Sequence, residues 1–376
     1  MTPEIILSLF PRNQIIEFGG LPVLDVVPSR ASWEMRERAA AELERLGEPV
    51  PPHLEPDEDD DAARLAAALD DPGSVAWWLP LVAWEDGGFR YADEYLAGLV
   101  EQVGGEAFTT LVIGGTFDHG RVEGDAEEPI TAPRPGVYLT PPGGDRYVDD
   151  DATVLSHAVH ALARRAVDLQ NLRALFIGEI DDDQLFSGAE LDVAALLEAF
   201  PRLEELALCA QLGMRFRASG HTGLRRLALH GVMVADEIEN VAACRLPALE
   251  HLELWSTEDF GDAQDPGERA ALGELFASGT LPRLRHLGLR EFTFIDDMVE
   301  QLAASPLLPR LDSLDLSHSL LTDKGAQALM NADGFRGLSR LRLRRHCMYA
   351  EMTETVRRAF AGAGVDVDVS DGRRAG

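Results

Sequence analysis

Leucines recur through most of the chain in a short pattern that appears seven times. Each copy reads L-x-x-L-x-L, and its apolar alternation predicts a β-strand, whereas the segment after it usually has the apolar spacing of a helix. The copies begin at Leu172, Leu203, Leu224, Leu249, Leu284, Leu311 and Leu338. The predicted helices span 152–167, 191–200, 235–243, 268–277, 296–304, 323–332 and 352–361. The pattern therefore predicts a repeating strand–helix unit.

A single unit of this size cannot bury its own apolar face, so the repeats are expected to stack. The predicted fold is α/β, a leucine-rich-repeat solenoid (horseshoe) with parallel inner strands and outer helices. A weaker first copy at 108–114 and a last strand at 365–369 are expected to be atypical terminal repeats. The solenoid is predicted to cover 106–372, with an insertion at 117–151 that is rich in Gly, Pro and acidic residues.

Residues 1–105 lie outside the repeats and are predicted to form an α-rich N-terminal cap region. Helical spacing occurs at 32–46 and 61–69, and an acidic, proline-containing linker lies between these two segments. Aromatic residues are dense at 70–103. We expect them to cover the apolar end of the first repeat, because solenoids need capped ends.

One repeat carries a more specific resemblance. The block that begins at Leu311, LDSLDLSHSLLTDKGAQAL, resembles the ribonuclease-inhibitor-type leucine-rich repeat, in which L-x-x-L-x-L-S precedes D-x-G-A-x-A-L. The whole chain is similar to an uncharacterised family of bacterial cytoplasmic leucine-rich-repeat proteins. That resemblance implies the fold and the compartment, and it implies no activity.

Charge narrows the possible partners. Asp and Glu number 65 against 34 Lys and Arg, which gives a formal charge of −31. Such a charge repels phosphate backbones and anionic lipids, so neither nucleic acid nor a membrane is an expected partner. The first ten residues lack the pattern of a signal peptide, and the three cysteines form no metal or disulfide spacing, so we predict a cytoplasmic protein.

Catalytic motifs are absent from the sequence. It contains no G-x-S-x-G, G-x-G-x-x-G, P-loop or H-E-x-x-H pattern, and its histidine pair at His157 and His160 has no neighbouring third ligand. We therefore predict that the chain is not an enzyme and holds no cofactor or metal.

Strand alternation identifies the residues that face away from the leucine core. On each strand, the positions before, between and after the last two leucines are expected on the concave face. In the last five repeats, the first of these positions holds, in chain order, Arg226, His251, His286, Ser313 and Arg340. The second position holds Ala228, Glu253, Gly288, Asp315 and Arg342. The third position holds His230, Trp255, Arg290, Ser317 and Arg344.

We predict that this face binds a protein or peptide. Trp and Arg are enriched at the energetic centres of interfaces, and Trp255 is expected to be exposed there. The last 41 residues hold 9 Arg and 5 acidic residues, so their charge is 9 − 5 = +4. The predicted partner-binding residues are His230, His251, Glu253, Trp255, His286, Arg290, Asp315, His318, Arg340, Arg342, Arg344 and His346.

Three alternatives stay open. The arginines at 340, 342 and 344 either capture an anionic ligand or form salt bridges with acidic residues of neighbouring repeats. His251, Glu253 and His286 lie on adjacent strands and are suited to acid–base chemistry or metal binding in an enzyme or an enzyme accessory. The acidic chain as a whole is also suited to act as an inhibitor or immunity-like factor.

Overall fold

Strands alternate with helices in the part of the chain that the structure, a computed structural model, describes. It describes residues 17–26, 40–41, 44, 50, 61–85, 88–118, 151–179, 191–209, 214–215, 220–231, 235–256 and 266–373. Most of the predicted helix at 32–46, the acidic linker up to residue 60 and residues 119–150 of the insertion lie outside these ranges.

The strands and helices follow the repeat pattern closely. The strands are β1 (Glu17–Phe18), β2 (Leu21–Asp25), β3 (Ala76–Glu85), β4 (Gly88–Tyr91), β5 (Thr110–Asp118), β6 (Ala174–Glu179), β7 (Leu191–Asp192), β8 (Glu205–Cys209), β9 (Met214–Arg215), β10 (Arg226–Gly231), β11 (His251–Ser256), β12 (His286–Arg290), β13 (Ser313–Asp315), β14 (Arg340–Arg342) and β15 (Asp366–Asp368). The helices are α1 (Asp61–Asp70), α2 (Ala92–Val103), α3 (Asp151–Arg164), α4 (Val193–Ala199), α5 (Ala235–Ala243), α6 (Pro266–Ala277), α7 (Ile295–Ala303), α8 (Asp323–Asn331) and α9 (Ala350–Gly362). All seven L-x-x-L-x-L copies contain a strand.

The chain divides into two units, of which the first comprises Met1–Cys209. Its strands β2, β3, β5, β6 and β8 pair in parallel in that order, while β1 and β4 pair antiparallel with β2 and β3. The predicted boundary near residue 105 falls inside this unit, because β3 pairs directly with β5 and places Trp77 beside Leu111.

The residues described before residue 105 form strands as well as helices. The elements with defined bounds are four strands and two helices, and the longest of these strands is the ten-residue β3, AWWLPLVAWE. A continuous apolar run of this kind is typical of a buried strand. Trp77 is fully buried against Phe108, with ring centroids 6.1 Å apart. The aromatic residues of this segment thus include members of the sheet and its core.

The second unit, Ala210–Gly376, contains the most regular part of the repeat array. Its strands β10 to β15 pair in parallel with no register shift, so equivalent positions of successive repeats lie side by side. The strand leucines Leu252, Leu287, Leu314 and Leu341 form one such row, and none has more than a trace of exposed surface. This is the leucine-rich-repeat arrangement that the pattern predicts.

A repeated turn ends four successive strands of this unit. Glu291, His318, Arg345 and Asp371 all have positive φ angles, between 55° and 66°. Each lies five residues after the first residue of β12, β13, β14 or β15. Because non-glycine residues seldom adopt this conformation, its recurrence shows that the repeats share backbone geometry as well as leucine spacing.

The side chains opposite the leucine rows form a second surface of the unit. We call it the polar face and define it as residues 226, 228, 230 and their equivalents on β11 to β15. Buried side chains of α5 to α9, such as Ile238, Leu272, Leu302 and Phe360, complete the leucine core. Among the described residues, no helix has the length and apolar character needed to cross a membrane.

Candidate functional site

Parallel register brings the polar residues of β11, β12 and β13 together on the polar face. His251 lies beside His286, and Trp255 lies beside Arg290. Glu253 lies beside Gly288, which in turn lies beside Asp315. Neighbouring strands are ~4.8 Å apart, so side chains at equivalent positions are in contact range.

Glu253 is the common partner of two histidines. Its Oε1 accepts a hydrogen bond from Nε2 of His251 at 3.1 Å, and Nε2 of His286 lies 3.3 Å from the same oxygen. The two imidazole rings stack in parallel, with centroids 3.9 Å apart and planes 7° apart. Three donor atoms from two adjacent strands therefore converge on one point.

Arg290 links this group to the next repeat. Its Nε lies 3.4 Å from Oε2 of Glu253, and its Nη2 donates to Oδ2 of Asp315 at 2.7 Å. Arg290 is only 1% exposed, Glu253 3% and Asp315 4%. We call His251, Glu253, His286, Arg290 and Asp315 the buried cluster. Removal of charged groups from water is costly, and the mutual pairing of these groups offsets that cost.

Aromatic stacking covers the cluster and corrects one prediction. Trp255 is not exposed: only 8% of its surface is accessible. His230 stacks on it with centroids 4.7 Å apart, Arg290 lies 5.1 Å from the ring centroid, and His318 lies 5.6 Å away at a tilt. The sequence placed Trp255 on the correct face, but large side chains at neighbouring register positions fill the space above that face.

Burial and charge set the protonation of these groups. Burial disfavours ionisation of Glu253, but Arg290 and the hydrogen bonds from the two histidines outweigh it and hold its carboxyl pKa well below the usual range. Burial, then the neighbouring His286, lowers the pKa of His251. The pKa values of His230 and His318 fall to about 4, chiefly through burial and then through nearby arginines. At neutral pH the cluster therefore presents an ionised Glu253 beside a neutral His251.

Two small residues shape the cluster, and the sequence had assigned neither a role. A Cβ at Gly288 would lie 3.0 Å from Cγ of Glu253. The lack of a side chain at Gly288 therefore leaves room for the side chain of Glu253. The Ser313 hydroxyl lies 2.7 Å from Nδ1 of His286 and fixes the orientation of that ring. Both residues occupy strand positions that the sequence predicts on the concave face, but a small side chain at such a position gives no sign of a role in a site.

The arginines of the last repeats form a separate group, which we call the arginine row: Arg340, Arg342 and Arg344. Nη2 of Arg342 donates to Oδ2 of Asp366 at 2.8 Å, and Nη2 of Arg344 donates to Oδ2 of Asp371 at 2.8 Å. Nε of Arg340 lies 3.7 Å from Asp366. These carboxylates come from the last strand and the turn after it. Of the two alternatives for the arginines, the structure contains the salt bridges.

His346 is another predicted binding residue that the structure buries, and it lies outside the buried cluster. It is 2% exposed, its Nδ1 accepts a hydrogen bond from the Met348 amide at 3.1 Å, and its Nε2 lies 3.2 Å from the Val369 carbonyl oxygen. A side chain held by backbone on both ring nitrogens supports the turn after β14 and is not available to a partner. Its position next to the arginines made it look like part of the same surface.

The twelve predicted residues thus separate by environment. Nine of them lie in or around the buried cluster or support a turn, whereas the side chains of Arg340, Arg342 and Arg344 are 34%, 28% and 17% exposed. The cluster is suited to hold charge in a fixed geometry. The arginine row is suited to contact other molecules.

Comparison with solved structures supports the fold. A structural-genomics target from Bacteroides fragilis matches with a TM-score of 0.56 and 21% sequence identity, over 72% of this chain and 67% of that one. An internalin from Listeria monocytogenes matches over 82% of this chain and 70% of its own, with 12% identity and a TM-score of 0.37, which is too low to argue from. No protein-family model and no curated protein matches the chain.

Proposed function

We propose that the chain is a non-catalytic module that binds a protein or peptide through the polar face of its second unit. The observation that carries this proposal is the contrast on that face between a fixed interior and exposed side chains at one end. Six parallel strands form the face without a register shift, and the ion pairs of the buried cluster connect the strands at its centre. A surface ordered before binding loses little conformational entropy when a partner docks.

The contacts would come from the end of the face nearest the last repeats. Tyr349 is 68% exposed and Leu320 is 38% exposed, and both lie in the loops that follow β14 and β13. These loops adjoin, because the amide of Cys347 donates to the Leu321 carbonyl at 2.8 Å. Tyrosine and arginine are enriched at interface hot spots. Tyr349 and the arginine row belong to the same repeat, which therefore offers an exposed aromatic side chain as well as exposed positive charge.

The remaining predicted residues would act indirectly. Glu253, Arg290 and Asp315 fix the spacing of three strands, and Trp255 packs over them. In this proposal they determine the shape of the face rather than touch the partner. The partner is a protein or peptide in the cytoplasm, and the overall negative charge argues against nucleic acid and membrane surfaces.

We also propose that the repeats are of the ribonuclease-inhibitor type. The D-x-G-A-x-A-L segment of the most typical copy forms the start of α8, and Thr322 caps this helix through a hydrogen bond from the Lys324 amide. A Cβ at Gly325 would lie 2.2 Å from Oδ1 of Asp296, so the glycine permits close contact between α7 and α8. That requirement accounts for the glycine of the motif in physical terms.

The test is affinity capture with four forms of the full chain: wild type, Arg342→Glu, Tyr349→Ala and Arg358→Glu. Arg358 lies on α9 and is exposed, so its variant is a control of equal charge change away from the proposed surface. We expect a protein that wild type and Arg358→Glu retain and that Arg342→Glu and Tyr349→Ala lose. Retention of the same proteins by all four forms, or of none by wild type, would contradict the proposal.

A further inference from the structure

The donor set within the buried cluster has a geometry that the binding proposal does not use. Nε2 of His251 and Nε2 of His286 lie 3.1 and 3.3 Å from Oε1 of Glu253, and all three atoms lie within 4.8 Å of one another. Four-coordinate zinc has bonds of about 2.0 to 2.1 Å, which places neighbouring ligand atoms about 3.3 Å apart. The spacing already present matches two of the ligand–ligand separations of such a site.

The chemistry of the donors also fits a transition metal. Imidazole nitrogen suits zinc, copper, nickel and iron, whereas calcium and magnesium prefer oxygen ligands alone. Two histidines and one glutamate is a set that zinc uses when a fourth position stays open to water or another ligand. His251 keeps 12% of its side chain accessible, so the site has an edge toward solvent.

The surroundings hold these donors in place before any ion arrives. Ser313 contacts Nδ1 of His286 at 2.7 Å, which leaves Nε2 as the nitrogen aimed at Glu253. Such contacts to the other ring nitrogen commonly orient metal-binding histidines. Arg290 approaches both oxygens of Glu253, with its Nε 3.4 Å from Oε2 and its Nη2 3.5 Å from Oε1, so it fixes the orientation of the carboxylate.

The fixed charges of the cluster favour an added cation. Glu253 and Asp315 contribute two negative charges and Arg290 one positive charge, so these three sum to −1, while Arg226 lies beside His251 on the neighbouring strand and adds one positive charge at that edge. The net negative charge of the three lies where side chains are almost fully removed from water. A divalent ion beside Oε1 would be attracted by the carboxylates in a region of low dielectric constant.

We propose that His251, Glu253 and His286 form a binding site for a divalent transition-metal ion, zinc being the ion that best fits the donors, with Oε1 and the two Nε2 atoms as ligands. Arg290 and Ser313 act as positioning residues. The site is independent of the exposed arginine row.

The experiment is a zinc titration of the full chain after treatment with a chelator. Excess Ca²⁺ in the buffer occupies carboxylate-only sites on this acidic surface and leaves imidazole-containing sites to zinc. We expect one saturable zinc equivalent by calorimetry and a rise in Tm with zinc concentration. Absence of saturable zinc binding to wild type would overturn the proposal.

Variants assign the binding to these residues. We expect His286→Ala and Glu253→Gln to weaken zinc binding by about 100-fold or more, and Ser313→Ala to weaken it by about 10-fold. His160→Ala is the matched control, because His160 is an exposed histidine on α3 in the first unit. The zinc affinity of this variant should equal that of the wild type. Unchanged affinity in His286→Ala or Glu253→Gln would refute the site.

Cobalt provides a readout that does not depend on the variants folding. Four- or five-coordinate Co²⁺ absorbs visible light much more strongly than the six-coordinate aqueous ion. We expect wild-type chain to produce such a spectrum with one equivalent of Co²⁺ and zinc to abolish it. A spectrum like that of aqueous Co²⁺ would overturn the proposal. The capture experiment with Arg342→Glu requires no metal, so failure of either proposal leaves the other testable.

Discussion

The buried cluster and the arginine row occupy equivalent strand positions in the same sheet, yet they place charge in different surroundings. Arg290 is 1% exposed and contacts two carboxylates that are almost as inaccessible. Arg342 keeps 28% of its side chain exposed, and its partner Asp366 keeps 64%. Both arginines use Nη2 to reach an aspartate at 2.7 to 2.8 Å. Geometry is therefore nearly constant while solvent access changes.

This difference teaches that an arginine–aspartate distance says little about energy without the solvent exposure of the pair. Exposed pairs contribute little because water screens them and side-chain ordering opposes them. In a buried pair, loss of one partner leaves an uncompensated charge that water cannot reach. The central repeats should therefore be sensitive to single charge deletions, and the last repeats should tolerate them.

The largest expected effect comes from Arg290→Met. This change leaves Glu253 and Asp315 buried without their shared cation, and we expect it to lower the free energy of unfolding by about 3 to 5 kcal/mol. Urea denaturation followed by circular dichroism measures the loss. The triple variant Glu253→Gln, Arg290→Met, Asp315→Asn removes both carboxylate charges and should recover most of it. A loss as small as that of an exposed pair would show that the cluster is not desolvated in solution.

A pH effect comes next, through His318. Its pKa is about 4 in the folded chain, lowered by burial and then by Arg345 and Arg290, with Asp315 opposing and Arg373 adding to the decrease. Glu291 is its other close charged neighbour, 3.9 Å away. The unfolded chain, with an ordinary histidine pKa near 6.5, binds the proton more readily. Stability should therefore fall as the pH drops from about 6.5 toward 4, by on the order of 1 to 2 kcal/mol at pH 5.

The measurement for His318 is the free energy of unfolding at several pH values for wild type and His318→Asn. Asparagine tolerates the positive φ of 66° at this position and does not titrate. The variant should lose part of the pH dependence between 4 and 6.5. Identical pH profiles of the two proteins would show that His318 is not the titrating group.

The repeat spacing predicted the strands and helices of the second unit well, and it predicted which polar residues share a face. It could not predict burial, because the pattern treats Trp255 and Arg290 as separate surface positions, whereas their register neighbours stack over them. It also missed the strand β3, since apolar runs without repeat spacing give no topological signal. Leucine periodicity reports the core side of a strand, and the other side depends on side-chain size at neighbouring positions.

Gly288→Ala tests the central packing with a smaller change. The added methyl group would meet Cγ of Glu253 at 3.0 Å, and Glu253 cannot move freely because the two histidines and Arg290 hold its carboxylate. We expect a loss of about 1 kcal/mol, at the low end of the cost of overpacking. Gly279→Ala is the control, since a Cβ there meets no atom within 4 Å. Equal stability of the two variants in urea would mean that the cluster yields to the methyl group.

The smallest expected effect is that of Arg342→Gln in the arginine row. A hydrogen bond from Arg342 lowers the pKa of Asp366, but both side chains are in contact with water, so loss of the pair should reduce stability by less than about 1 kcal/mol. The difference in unfolding free energy between wild type and Arg342→Gln should be smaller at high salt, because salt screens the Arg342–Asp366 pair in the wild type. Urea denaturation of both proteins at low and high salt measures this. A salt-independent loss as large as that of Arg290→Met would erase the contrast between the two regions, since it would require the arginine row to be as desolvated as the buried cluster.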